Sequence, residues 1–168
     1  KGSMSIPNKL ELAGKRMIVV RTALKACLTR QGEAHPSETY LGALSNVPDF
    51  QMQHAGGDQE WFSHASTNTV VQIESQKVTI YLPDDSISFY ANSVAEYLRE
   101  ALETNIRLVR KDDENGARNI QAATFKKPGT IRQYMLAVYE FPVVEDFDTK
   151  KQVPGTHVTL VFKLSPFD

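Results

Sequence analysis

The segment at residues 156–164 shows the most regular alternation of apolar and polar side chains in the sequence. Four apolar residues share one side of this alternation: Val158, Leu160, Phe162 and Leu164. Successive side chains of a β-strand point to opposite faces, so a period of two predicts a strand. We therefore expect these four side chains to be buried together in a hydrophobic core.

Shorter alternating segments predict further strands upstream. Thr69–Glu74 and Lys77–Leu82 flank a tight Ser75-Gln76 connection, which favours antiparallel pairing. After the turn residues that follow Leu82, Ile87 and Phe89 alternate and suggest a third strand. Together these segments predict a meander over residues 69–90. Another apolar segment predicts a strand over residues 130–141.

Two long segments have helical periodicity instead. Residues 8–31 carry apolar side chains at spacings of three and four, namely Leu10, Ala13, Met17, Val20, Leu24, Cys27 and Leu28. The β-branched residues of this segment leave a short strand at Lys15–Val20 as the alternative. Ser93 and Glu96 have the spacing of a capping box, which predicts that a central helix begins at Ser93.

The ends of two helices are less clearly marked. Thr104-Asn105 interrupts the central helix, which either continues to residue 110 or leaves Ile106–Arg110 as a strand. A shorter helix is expected from Pro36 to residue 47, before Pro48.

The order of these elements indicates an α+β fold. Runs of strands separated from helices are typical of this class. We expect a mainly antiparallel sheet, formed by the meander at 69–90 and the strands at 130–141 and 156–164. The N-terminal helix and the helix from Ser93 would pack on it. Residues 4–168 have the length of one domain, and a long irregular loop is expected at about 48–68. Lys1-Gly2-Ser3 before Met4 is typical of a cloning scar.

Composition and charge narrow the class of protein. The 19 Lys and Arg residues and 20 Asp and Glu residues give a net charge of −1, which implies no bulk attraction to nucleic acid or to an anionic membrane. No apolar segment is long enough for a membrane span. The single cysteine, Cys27, cannot form an internal disulfide, which favours an intracellular, reducing compartment.

Sequence motifs for catalysis and for metal binding are absent. The chain has neither a glycine-rich phosphate loop nor a C-x-x-C or H-E-x-x-H pattern. Four residues of types that bind metals lie close together in the sequence: His54, Asp58, Glu60 and His64. We interpret them as solvated loop residues. We therefore expect no metal, no cofactor and no catalytic residues. An enzyme with dispersed catalytic residues is the third functional hypothesis.

The leading hypothesis is a non-catalytic protein–protein interaction domain, part of a larger intracellular protein or assembly. Trp61 and Phe62 stand in a polar, glycine-flanked segment and are the expected partner-binding residues. Such aromatics either pack back onto the core or anchor a partner. The second expected surface is the strand at 156–164, as an open edge that accepts a partner's strand.

The alternative hypothesis is a nucleic-acid-binding domain. Six basic residues lie close together in the sequence, near Phe125 and Tyr134: Arg107, Arg110, Lys111, Lys126, Lys127 and Arg132. Basic residues interleaved with aromatics suit a single strand. The five acidic residues within positions 100–114 weaken this pattern.

Overall fold

An eight-stranded antiparallel sheet carries two helices in the computed structural model, which describes residues 6–31, 39–111, 116–145 and 152–164. The helices are α1 (Ile6–Gln31) and α2 (Ile87–Leu102). The strands are β1 (Gln51–Gly56), β2 (Gln59–His64), β3 (Thr69–Glu74), β4 (Lys77–Leu82), β5 (Val109–Lys111), β6 (Asn119–Lys126), β7 (Gln133–Glu145) and β8 (Gln152–Leu164). Their spatial order is β1-β2-β3-β4-β8-β7-β6-β5. The α+β prediction is confirmed.

The hydrophobic core lies between one face of the sheet and the two helices. Val71, Ile80, Leu160 and Val138 are paired in register across four strands, and all four are fully buried. The helices contact each other, α1 also contacts β3 and β4, and α2 also contacts β7, so both helices cover this one face. Helix α1 buries its predicted stripe, apart from the exposed Leu10 and the half-buried Leu28.

Strand β8 shows the expected burial but not the expected position. Val158, Leu160, Phe162 and Leu164 are all buried, which confirms the period of two. The strand lies between β4 and β7 in the middle of the sheet. The prediction of an open edge at residues 156–164 is therefore wrong, because both sides of β8 already pair with neighbouring strands. Strands β7 and β8 are also longer than predicted, and β6 was not predicted.

The expected irregular loop at 48–68 contains the β1–β2 hairpin and a short 3-10 helix at Ala65–Thr67. Gly57 and Asp58 link the strands with φ angles of 63° and 65°, as in a two-residue type I′ turn. Every residue of β1 is exposed, so its sequence has no buried face to produce an alternation of apolar residues. The loop prediction fails because an edge strand can be polar on both sides.

Helix α2 begins six residues before Ser93, so Ser93 lies inside the helix and does not cap it. Ile87 and Phe89, predicted as a strand, form the first turn of α2. The helix ends at Leu102, and Glu103 follows with a left-handed φ of 51°. The strand alternative after Thr104 is supported by β5, although β5 is shorter than predicted.

Residues 41–49 form turns and a bend, where a helix from Pro36 to residue 47 was expected; residues 32–38 lie outside the described residues. Gly42 has a φ of 84°, which no α-helix accommodates. The backbone N–H of Tyr40 donates to the Ser75 carbonyl (2.6 Å), and that of Gly42 donates to Glu60 Oε1 (3.0 Å). These bonds to other elements replace the bonds within a helix.

Gly14 offers a stabilising substitution in the middle of α1. A methyl group built on Gly14 meets no heavy atom within 4 Å outside the helix's own backbone. Gly14→Ala should raise the free energy of unfolding by about 0.5–1 kcal/mol, because alanine loses less conformational freedom in a helix. Gly57→Ala is the matched control and should lower it by about 1–2 kcal/mol, because the turn needs a left-handed φ. Urea denaturation measures both changes, and a loss of stability in Gly14→Ala would contradict this account.

Candidate functional site

No helix among the described residues covers the sheet face opposite α1 and α2. We call it the outer face. One row across it, set by strand register, runs through Trp61, Gln72, Thr79, Val161, Ala137, Ala122 and Val109. The row contains no Lys, Arg, Asp or Glu, although it spans most of the sheet. The outer face is therefore uncharged along this line.

Trp61 lies on the outer face in a fixed arrangement with Tyr81. The two rings are stacked, with centroids 5.8 Å apart and planes 15° from parallel. Trp61 Nε1 donates to Gln59 Oε1 (3.0 Å), and Gln72 Nε2 donates to the same oxygen (2.7 Å). The Tyr81 hydroxyl donates to Gln72 Oε1 (3.1 Å). We call these four side chains the Trp61 platform; its hydrogen bonds hold the half-buried indole in one orientation.

The phenol of Tyr81 is neutral in this setting. Burial, and after it the negative charge of Glu74, raise the pKa of Tyr81 above its ordinary value. The platform therefore presents aromatic rings and amides without a charge of its own. Such a surface suits contacts with apolar and hydrogen-bonding groups rather than proton transfer.

Phe62 points away from the platform because successive residues of β2 face opposite sides. Its side chain is 1% exposed and belongs to the core beneath the helices. Of the two residues expected to bind a partner, only Trp61 therefore lies on the outer face. Trp61 and Phe62 are consecutive residues of a strand, so their side chains cannot together form one exposed aromatic surface.

A groove of about 520 Å³ crosses the other end of the outer face, over β5, β6 and β7. Its floor and sides are mostly apolar and include Val109, Ile120, Ala122, Met135, Ala137 and Tyr139. Arg107 and Lys111 also line it. No Asp or Glu is among the described residues that line it. The groove thus combines an apolar surface with two cationic side chains.

Aromatic side chains continue beyond the groove. Tyr139 and Phe141 stack with centroids 6.2 Å apart, and Phe141 stacks on His157 at 5.0 Å. His157 Nδ1 is buried and has no hydrogen-bond partner among the described residues, and burial lowers the pKa of this imidazole. His157 is therefore held as a neutral ring that packs on Phe141.

The six basic residues of the nucleic-acid hypothesis lie on two different parts of the sheet. Arg107, Arg110 and Lys111 lie on or just before β5, whereas Lys126, Lys127 and Arg132 lie at the β6–β7 turn. Lys111 is opposite Ile120, and Lys126 is six residues further along β6, which is about 20 Å. Lys111 is therefore far from Lys126, whereas the antiparallel register places Arg107 towards Thr124, nearer the Lys126 end of β6. Arg107 and Lys111 share the groove.

The four residues of metal-binding type, at positions 54, 58, 60 and 64, are spread over the β1–β2 hairpin. His54 and Asp58 are exposed, Glu60 accepts the Gly42 N–H, and His64 Nδ1 is 2.8 Å from Thr67 Oγ1. No three His, Cys, Asp or Glu side chains within the described ranges come together as metal ligands would.

Cys27 is fully buried in α1. Burial, and after it the charge of Glu60, raise the pKa of its thiol to about 12. A protonated, inaccessible thiol is a packing group and not a nucleophile.

The sequence did not identify Tyr81, Gln59 and Gln72 of the platform or the apolar residues of the groove; of the groove residues it named only Arg107 and Lys111. The available signal for Tyr81 was its place in a correctly predicted strand, on the side opposite the buried apolar residues. Its approach to Trp61 depends on strand register, which one sequence does not specify.

No helix in the described part of the chain has both the length and the apolar character needed to cross a membrane. No protein-family model, no curated protein and no solved structure matches this chain. Its function is therefore inferred from its own side chains.

Proposed function

We propose that this domain is a non-catalytic module that binds another protein through the outer face of its sheet, as part of a larger intracellular assembly. One observation carries the proposal: among the described residues the helices cover only one face, and the opposite face presents the Trp61 platform and an apolar groove. Aromatic side chains already fixed in position are typical anchors at protein interfaces, because they lose little conformational freedom on binding.

The chemistry of the outer face favours binding over catalysis. Its polar groups on the platform are amides that already bond to one another, and its tyrosine and histidine are neutral. Nothing on the platform combines a nucleophile with a general base within hydrogen-bond distance. Cys27 lies in the core and, being buried and protonated, agrees with a reducing compartment.

Trp61→Ala tests the proposal. In quantitative affinity capture from native extract, we expect the variant to lose partner proteins by about 30-fold, equivalent to about 2 kcal/mol of binding free energy. The exposed Ile18 on α1 provides the control, because it lies on the helical side of the molecule. Ile18→Ala should retain the same partners. Equal capture by both variants and the unaltered domain would contradict the proposal.

Thermal melting of Trp61→Ala completes this test. If capture fails only because the variant is unfolded, its melting transition will be lost, and the capture result cannot be counted as loss of an anchor. The half-exposed position of Trp61 leads us to expect a folded variant with a smaller stability loss than Phe62→Ala, whose side chain is in the core.

Nucleic-acid binding is the second candidate, supported by Arg107 and Lys111 beside aromatic side chains of the groove. A salt titration with single-stranded nucleic acid separates the two functions. Phosphate contacts release counterions and make affinity fall steeply with salt. Tight, strongly salt-dependent binding would favour this candidate over a protein partner.

A further inference from the structure

Strand β5 forms one edge of the sheet and leaves a side of its backbone unpaired by any described strand. Among the described strands it pairs only with β6, through Val109–Ala122, Arg110–Gln121 and Lys111–Ile120. All three of its residues are exposed, and Val109 is 54% exposed. An edge of this kind can accept the backbone of another extended chain. Only a polypeptide supplies the matching N–H and C=O groups.

Three basic side chains lie beside this edge. Arg107, Arg110 and Lys111 are exposed, and none of them forms an ion pair with a described carboxylate. The other edge strand, β1, contains no Lys, Arg, Asp or Glu and is interrupted by a register shift between Met52 and His54. The two edges therefore differ in both charge and regularity, and only β5 has a charge that a partner could complement.

Register places each β5 side chain relative to an added strand. Val109 and Lys111 face the outer side, where they line the groove, and Arg110 faces the other side. A residue added opposite Val109 would lie at the edge of the groove. Residues opposite Arg110 and Lys111 would have Cβ atoms about 4.5–5.5 Å from theirs, which brings carboxylates close to both cations.

We propose that the β5 edge binds an extended acidic segment of a partner protein by strand addition, with an apolar side chain over the groove and carboxylates beside Arg107, Arg110 and Lys111. This inference rests on the proposed function and names the chemistry of its partner. A second copy of the chain is disfavoured as the occupant, because pairing two β5 edges would bring basic side chains together.

An NMR titration with capped synthetic peptides tests the strand addition. The probe is the peptide TEELEVT, and the control is TKKLKVT, which reverses the charge and keeps the leucine. Asp112, Asp113 and Glu114 follow Lys111 in the sequence and lower the local positive charge, so a method that detects weak binding is required. We expect the acidic peptide to shift the amides of Val109, Lys111 and Ile120 at a concentration at least tenfold below any effect of the control. Equal shifts with both peptides, or none near β5 with the acidic peptide, would overturn the proposal.

The charge-reversed double variant Arg110→Glu with Lys111→Glu is the matched protein control. Both side chains are exposed, so the fold should be retained, as a melting curve will show. The variant should bind the lysine peptide at least tenfold better than the acidic one. An unchanged preference for the acidic peptide would contradict the charge contacts.

Capture of native partners distinguishes failure of this inference from failure of the proposed function. Loss of the same partner in both Trp61→Ala and the charge-reversed variant supports strand addition. Loss in Trp61→Ala alone overturns strand addition and leaves partner binding at the outer face. No loss in either variant contradicts both. Loss of single-stranded nucleic-acid binding in the charge-reversed variant, with a steep salt dependence, would assign the basic edge to phosphate instead.

Discussion

Asp84→Ala is expected to lower the free energy of unfolding by about 3–5 kcal/mol. Asp84 Oδ2 lies 2.6 Å from Arg16 Nη1 and accepts the Tyr90 hydroxyl at 2.7 Å, while Oδ1 accepts the Ser86 N–H at 3.0 Å. The side chains of Arg16 and Asp84 are 9% and 21% exposed. Without the carboxylate, a guanidinium would remain buried with one carbonyl partner, that of Thr67.

The position of this ion pair explains why the expected loss is large. It joins α1 to the turn between β4 and α2, and Asp84 satisfies a backbone N–H at the start of α2. Removing one member of a buried pair leaves its charge without compensation, which costs more than the pair's net contribution.

Urea denaturation of Asp84→Ala measures the loss. The exposed Glu11–Lys15 pair, at 3.9 Å with side chains 67% and 62% exposed, supplies the control. Glu11→Gln should change stability by less than about 1 kcal/mol, because exposed ion pairs contribute little in water. Similar effects of the two substitutions would show that burial does not determine the importance of the Arg16–Asp84 pair.

Phe162→Ala should cost about 3–5 kcal/mol, because it removes a large side chain from the centre of the sheet's buried face. Phe162 is 0% exposed. Its ring stacks on Tyr134 at 5.4 Å with planes 12° apart, and Tyr134 stacks on Phe125 at 5.8 Å. The cavity would therefore lie beside a row of three aromatic rings that spans β8, β7 and β6.

Guanidinium denaturation of Phe162→Ala measures the midpoint of unfolding and the slope of its free energy against denaturant concentration. Ile131, the most exposed of the large hydrophobic residues described, provides the comparison. Ile131→Ala should leave the midpoint nearly unchanged, since its side chain loses almost no contact with water on folding. A small effect of Phe162→Ala would contradict its role in the core.

Elements with one buried face could be predicted from the sequence. Apolar and polar residues alternate in β3, β4 and β8 because one side of each strand packs under the helices. Apolar residues recur at spacings of three and four in α1 for the same reason. The first turn of α2 was misread because Ile87 and Phe89 are two residues apart, which also fits a strand. β1 carries no such pattern, since both of its faces are exposed.

The candidate site could be predicted only in part. Trp61 was identified because a tryptophan in a polar segment needs an apolar neighbour. Its neighbour, Tyr81, is brought to it through the pairing of β2 with β3 and of β3 with β4. The basic residues were grouped by sequence proximity, but the length of β6 separates Lys111 from Lys126. Register and strand length are properties of the assembled sheet, so neither was accessible from local patterns.

The central position of β8 has a consequence for how the chain assembles during synthesis. β1–β4 and β5–β7 are two sets of neighbouring strands, and β8 is the strand that joins them. Leu82 in β4 pairs with Val158, far along the chain, so the pairing of β4 with β8 forms only after nearly all of the described chain has been made. Until then β4 and β7 each present an unpaired edge. From the order of the strands alone, we expect the sheet to form slowly and the unpaired edges of β4 and β7 to need protection from aggregation until β8 is in place.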